Sequence, residues 1–201
     1  NESGGHSAAA HLIAQGCRRI AFLGDPAAPE VGARLTGHLR ALAEAGIDRE
    51  PPLEIPVRFG SDTAYHAIAS LISAGVQFDG IVACSDVFAI SAMRALAERD
   101  LKVPADVAIV GFDDIPFAAF TTPPLTTIRQ NCHAGARHLV ENLVRAIRHE
   151  PQESVVIPTE LVVRTSSLRE HYRALPAIRG GKREPAPASA PAPRARGSRA
   201  G

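Results

Sequence analysis

The chain has 201 residues, is 45% apolar, and sets 22 Lys/Arg against 21 Asp/Glu for a formal net charge of +1. That size buries one or two ordinary cores, and no apolar run approaches the roughly 20 residues needed to cross a bilayer, so no membrane partner is expected. Residues 170–201 hold seven Lys/Arg and two Asp/Glu, which leaves residues 1–169 at a net charge of −4, the opposite of a basic nucleic-acid-binding surface.

The elements follow in chain order. Ser7–Gln15 reads as a short Ala-rich helix stopped by Gly16. A strand is expected over Arg19–Gly24. The next segment, "GARLTGHLRALAEAG", puts Leu35, Leu39, Leu42 and Ala43 on one helical stripe and stops at Gly46. Leu53–Arg58 reads as a second strand, and a helix capped by Ser61 packs Tyr65, Ile68, Leu71 and Ile72 before Gly75. Gly80–Cys84 is the third strand. A helix opening near Ser85 presents Phe88, Ile90, Met93 and Leu96. The fourth strand, Val107–Phe112, delivers Asp113 and Asp114 into a loop, and an extended, Thr-rich Thr126–Gln130 follows. Cys132–His149 forms an amphipathic helix with Leu139, Leu143, Val144 and Ile147 as its stripe. "SVVIPTELVVR", Ser154–Arg164, reads as two short strands broken at Pro158. The Ala-, Pro- and Arg-rich residues 170–201 have a composition expected to stay disordered.

Strand alternating with helix predicts an α/β fold with a doubly wound parallel sheet. Ligands of such sheets bind beyond the carboxyl ends of the strands. Those ends are Gly24-Asp25, Arg58-Phe59, Ser85-Asp86 and Asp113-Asp114. Position alone does not separate a ligand role for the acids from a turn role, since Asp is common in turns.

The motifs of phosphate cradles, of a nucleophile elbow and of zinc hydrolases are absent, so neither cofactor, metal nor catalytic residue is expected. Adjacent Asp113 and Asp114 on a strand end point to opposite sides, which argues against an acid–base dyad. Cys17, Cys84 and Cys132 match no metal or redox spacing and suit a reducing cytoplasm.

Four stretches together resemble the regulatory domain of the lactose-repressor (LacI/GalR) family of transcription regulators. "AAAHLIAQGCRRIAFLG" is similar to the family's helix, turn and strand, with Cys17 in place of the usual His. "ARLTGHLRALAEAGI" resembles its R-x-x-G-(aromatic)-x-x-A-L segment, with His38 in the aromatic's place. "VPADVAIVGFDDIPFAAFTTPPLTTIRQ" carries the G-F-D-D and L-T-T-I-x-Q pair, and "PTELVVRTSS" resembles the family's closing motif.

The resemblance implies the periplasmic-binding-protein-like type I fold, in which two α/β subdomains are joined by crossover strands around an effector cleft. It divides the chain into a remnant of the N-terminal subdomain (1–16), a C-terminal effector-binding subdomain (17–125), crossover strands with an N-terminal-subdomain helix (126–169), and the basic tail (170–201). The family's helix-turn-helix DNA reader is not among these residues. A chain opening on Asn1 is therefore expected to be a fragment, with operator DNA a partner of the parent protein.

Further implied are a homodimer, a cytoplasmic location, and a small polar effector, sugar-like or another metabolite. Arg34 and Asp113 stand at family positions that donate to and accept from the effector. Ser85 either binds an effector hydroxyl or caps the next helix. Glu30, with a solvated alternative, and Phe59, as the aromatic near the cleft in a chain without Trp, complete the candidate set. Ser3 and Cys132 depart from the family pattern and leave the effector open. The alternative reading is an exported periplasmic sugar-binding protein that serves a transporter.

Overall fold

The computed structural model describes residues 1–58 and 61–169, with the side chain of Ser61 excepted. Five helices and six strands alternate: α1 (Glu2–Ala14), β1 (Ile20–Leu23), α2 (Pro29–Glu44), β2 (Glu54–Ile55), α3 (Ser61–Ser73), β3 (Gly80–Ala83), α4 (Asp86–Ala97), β4 (Ala108–Asp113), β5 (Thr126–Gln130), α5 (Cys132–Ile147) and β6 (Thr159–Val162). They build one sheet in the order β2-β1-β3-β4-β5-β6. Every pair is parallel except β5–β6.

The chain steps outward from β1 to β2 and then returns past β1 to β3. Right-handed crossovers therefore place α2 on one face of the sheet and α3 with α4 on the other. Packing agrees: α1 lies on α2, and α3 lies on α4. The strand order reverses between β1 and β3, which opens a crevice at their carboxyl ends.

Interior strands covered on both faces need unbroken apolar runs, and β1, β3 and the first five residues of β4 are buried throughout. Phe22, Phe88 and Phe112 are the largest buried side chains, each contributing roughly 1.5–3 kcal/mol by area. The first three residues of the Thr-rich β5 are buried as well. Its hydroxyls are satisfied, Thr126 donating to the Arg164 carbonyl at 2.7 Å and Thr127 to Asp86 at 2.6 Å.

Three elements depart from their sequence readings. Helix α1 begins at Glu2 instead of Ser7, because Gly4 and Gly5 are buried inside it as contact surfaces. A Cβ on Gly5 would overlap the Arg34 carbonyl, and one on Gly37 would overlap that of Glu2, so these glycines let α1 and α2 touch backbone to backbone. The second strand shrinks to Glu54–Ile55, hemmed by Pro51, Pro52 and Pro56, which donate no ladder bond. Of the two strands expected over Ser154–Arg164 only β6 forms; Val155 and Val156 are exposed and the stretch before Pro158 pairs with nothing among the described residues. The expected disorder of residues 170–201 lies outside the described residues.

Helix α5 starts on an Asn131 cap that accepts from the Ala134 amide at 3.0 Å. None of its residues is buried, and Leu139, Leu143 and Ile147 are 73%, 61% and 71% exposed, so the stripe read from the sequence is present but uncovered.

Candidate functional site

Arg34 sits in the middle of α2 and points inward over the carboxyl ends of the strands. The glycine-mediated contact of α1 with α2 covers it, leaving the residue 8% exposed. Its Nε donates to Asn1 Oδ1 at 3.0 Å, and its Nη1 donates to the Cys84 carbonyl at the end of β3. The guanidinium carbon lies over the Phe112 ring, 3.7 Å from its centroid, a cation–π contact in a desolvated place. Burial pulls its pKa down, while the charges of Asp113 and Glu30 act in the opposite direction. Arg34 is thus a buried residue and not a helix-surface arginine.

Asp113 ends β4, directly after the ring under Arg34. Its Oδ1 accepts from Gln130 Nε2 at 2.7 Å. Burial raises its carboxyl pKa, against the Gln130 bond and the Arg34 charge. Asp113 and Asp114 both have positive φ, 110° and 55°. Neither is glycine, and conformations of this kind cost on the order of 1–3 kcal/mol each and collect at functional sites.

Asp114 points elsewhere. Its Oδ1 accepts from Arg164 Nη2 and its Oδ2 from Arg129 Nε, both at 2.7 Å. Burial alone would raise its pKa, but the two arginines outweigh burial and hold it below the usual carboxylate range. The two acids thus divide their tasks: Asp114 fastens the turn to β5 and to the segment after β6, and Asp113 is bonded to Gln130 within electrostatic reach of Arg34.

The remaining candidates fall as follows. Ser85 is buried and caps α4, its Oγ accepting from the Phe88 amide at 3.3 Å. Glu30, in the first turn of α2, is exposed, and its charge reaches both Arg34 and Cys84. Phe59 lies outside the described residues. The structure therefore gathers Arg34, Asp113 and Glu30 around the end of β3 and spends the Ser85 hydroxyl on its helix.

Sequence reasoning missed four participants. Phe112 and Gln130 stood inside the quoted G-F-D-D and L-T-T-I-x-Q motifs without a role of their own, and Asn1 stood only as the first residue. Asp86 was noted as a strand end, but its burial and bonds were not legible. Next to Gln130 a cavity of about 530 Å³ opens between the end of β5, the start of α5 and β6, lined in part by Cys132 and Thr159.

Chemically, the arrangement offers a fixed guanidinium and a strained carboxylate at one strand crevice. Such a pair donates to and accepts from neighbouring oxygens of a polar guest in one plane. Among the described residues, no three His, Cys, Asp or Glu side chains gather as metal ligands, and no helix is long and apolar enough to cross a membrane.

Residues 9–167 match the family described as periplasmic binding protein-like domain. The transcriptional regulator CelR of Thermobifida fusca is 35% identical over 169 residues, covering 83% of this chain and 50% of CelR. The regulator DegA of Bacillus subtilis is 34% identical and covers 82% of this chain and 49% of its own. The chain thus spans about half the length of the curated relatives it matches. Among solved structures, a CelR–cellobiose complex superposes with a TM-score of 0.78 at 34% identity, over 83% of this chain and 52% of that one. A dimeric Lac repressor does so with a TM-score of 0.76 at 26% identity, over 84% and 62%. The chain belongs to the periplasmic binding protein-like family, as the effector-binding domain of a LacI-type transcriptional regulator.

Proposed function

We propose that this domain senses a small, polar, sugar-like effector held between Arg34 and Asp113, and that it dimerises to pass the signal to operator DNA bound by the N-terminal reader of the parent protein. The observation that carries the effector site is the stacking of Arg34 on Phe112, the residue that leads into Asp113. It brings donor and acceptor to one crevice. Glu30 lies at the rim, and Ser85 contributes through its helix cap. The cellobiose bound by CelR, a relative of the same fold, makes cello-oligosaccharides the first ligands to try.

In this reading residues 17–125 form the effector-binding subdomain, and β5, α5 and β6 cross into a second one. The uncovered apolar stripe of α5 supports that division, since a helix with this pattern packs on a partner layer. Effector binding then favours one angle between the lobes, and coupling of this sort amounts to about 1–3 kcal/mol. Phe117 and Phe120, 73% and 82% exposed on the short turn after the acid pair, support a dimer face there. Transcription control in this account involves no turnover of the effector.

A thermal-shift screen of sugars, sugar phosphates and purines on the full-length regulator tests the reading. A ligand that stabilises wild type and not Asp113→Ala supports it, and equal stabilisation of both refutes it.

A further inference from the structure

Asp86 is fully buried at the first position of α4, an expensive place for a carboxylate. Its Oδ2 accepts from the Ile115 amide at 2.8 Å, and its Oδ1 accepts from the Thr127 hydroxyl at 2.6 Å. Thr127 in turn accepts from the Asp114 amide at 3.3 Å. One carboxylate therefore holds Ile115 directly and Asp114 through the Thr127 hydroxyl, and so ties down the turn formed by Asp113 and Asp114, both of which have positive φ.

The sequence makes room for this grip. Gly111 pairs with Thr127 across β4 and β5, and a Cβ there would overlap the Asp86 carboxylate. Among the described residues, the bonds of this buried acid go to the Ile115 amide and the Thr127 hydroxyl beside one strained turn.

We propose that Asp86 is the positioning residue of this site: its carboxylate, held between the Ile115 amide and the Thr127 hydroxyl, keeps the turn in the shape that aims Asp113 toward Arg34. The inference rests on the reading of Asp113 as the effector's acceptor. Asp86 itself touches no effector. Asp113 and Asp114 are the charges that act on it, and the latter is tied up by Arg129 and Arg164.

The test is NMR on the full chain with labelled glutamine side chains and backbone amides, and it needs no effector. In Asp86→Ala the Gln130 side-chain amide leaves its wild-type shift as Asp113 turns away, and the Ile115 amide exchanges with solvent at least about tenfold faster. Leu96→Ala, a destabilised core control, leaves both signals in place. Asp86→Asn keeps an acceptor for the Ile115 amide and a donor for the Thr127 hydroxyl, and it restores the Gln130 signal. If Asp86→Ala does not fold, Thr127→Val replaces it, since loss of the hydroxyl breaks the same link. An unmoved Gln130 signal in the folded variant, or an equal movement in Leu96→Ala, overturns the proposal. With no effector present, that result leaves the ligand role of Asp113 standing, and a failure of the ligand role in calorimetry leaves this positioning untouched.

Discussion

The guanidinium of Arg34 lies 3.7 Å above the ring of Phe112, while its Nη1 is bonded to the carbonyl that ends β3. A lysine brings one compact charge and cannot stack, fork to Asn1 and reach Cys84 at once. In Arg34→Lys the Cys84 carbonyl loses its partner in a buried place, at a cost of about 1–3 kcal/mol. Urea unfolding should register that loss, and effector affinity should fall by roughly tenfold or more. Unchanged affinity would remove Arg34 from the site.

His38 packs against Phe22 with ring centroids 5.5 Å apart, and its buried Nδ1 has no hydrogen-bond partner among the described residues. Burial depresses its pKa from 6.5 to about 4, while Glu54 and a bond with the Ile20 backbone oppose the shift. A depressed folded-state pKa gives stability that is present above pH 6.5 and lost as pH falls through about 4. His38→Phe removes the ionisable group and keeps the ring contact. Its stability relative to wild type should rise as pH drops across that window, by at most about 1.4 kcal/mol per pH unit. Melting curves at several pH values check this, and parallel curves would contradict it.

Asp86 gives the opposite sign. Burial raises its pKa from 3.8 to about 6, against its bonds from Thr127 and Ile115. Protonation therefore favours the folded state, and that contribution is present below pH 3.8 and lost as pH rises through about 6. Wild type should lose stability relative to Asp86→Asn over that window, as measured by denaturant titrations at fixed pH.

Much of this was legible in the sequence, for specific reasons. β1, β3 and β4 announced themselves because strands buried on both faces must be apolar throughout, and Gly46 and Gly75 marked helix ends because their positive φ favours glycine. The start of α1 was not legible: its reading began at Ser7, and only the packed α2 shows why Gly4 and Gly5 belong inside the helix. Of the site, Arg34 and Asp113 came from a family motif. Asp86 lay outside those motifs, and Gln130, the last residue of L-T-T-I-x-Q, was given no role, because a buried carboxylate and an amide that closes a strand have no periodic signal. Their roles exist only once β4 and β5 lie side by side.

Phe117 and Phe120 yield a prediction about assembly. Replacing both by Asp puts charges on the exposed turn without disturbing buried Ala118 between them. Sedimentation of the full-length protein should show a shift from dimer toward monomer with an unchanged circular dichroism spectrum. A dimer of undiminished affinity would place the interface elsewhere.

The central claim is that Asp113 and Arg34 hold the effector together, and isothermal calorimetry with the strongest ligand of the thermal screen tests it most directly. Asp113→Ala removes an acceptor of charge-assisted bonds, and the account predicts a loss of about 3 kcal/mol, roughly 100-fold or more in Kd, with the fold retained. An Asp113→Ala domain that binds that ligand as tightly as wild type would contradict it.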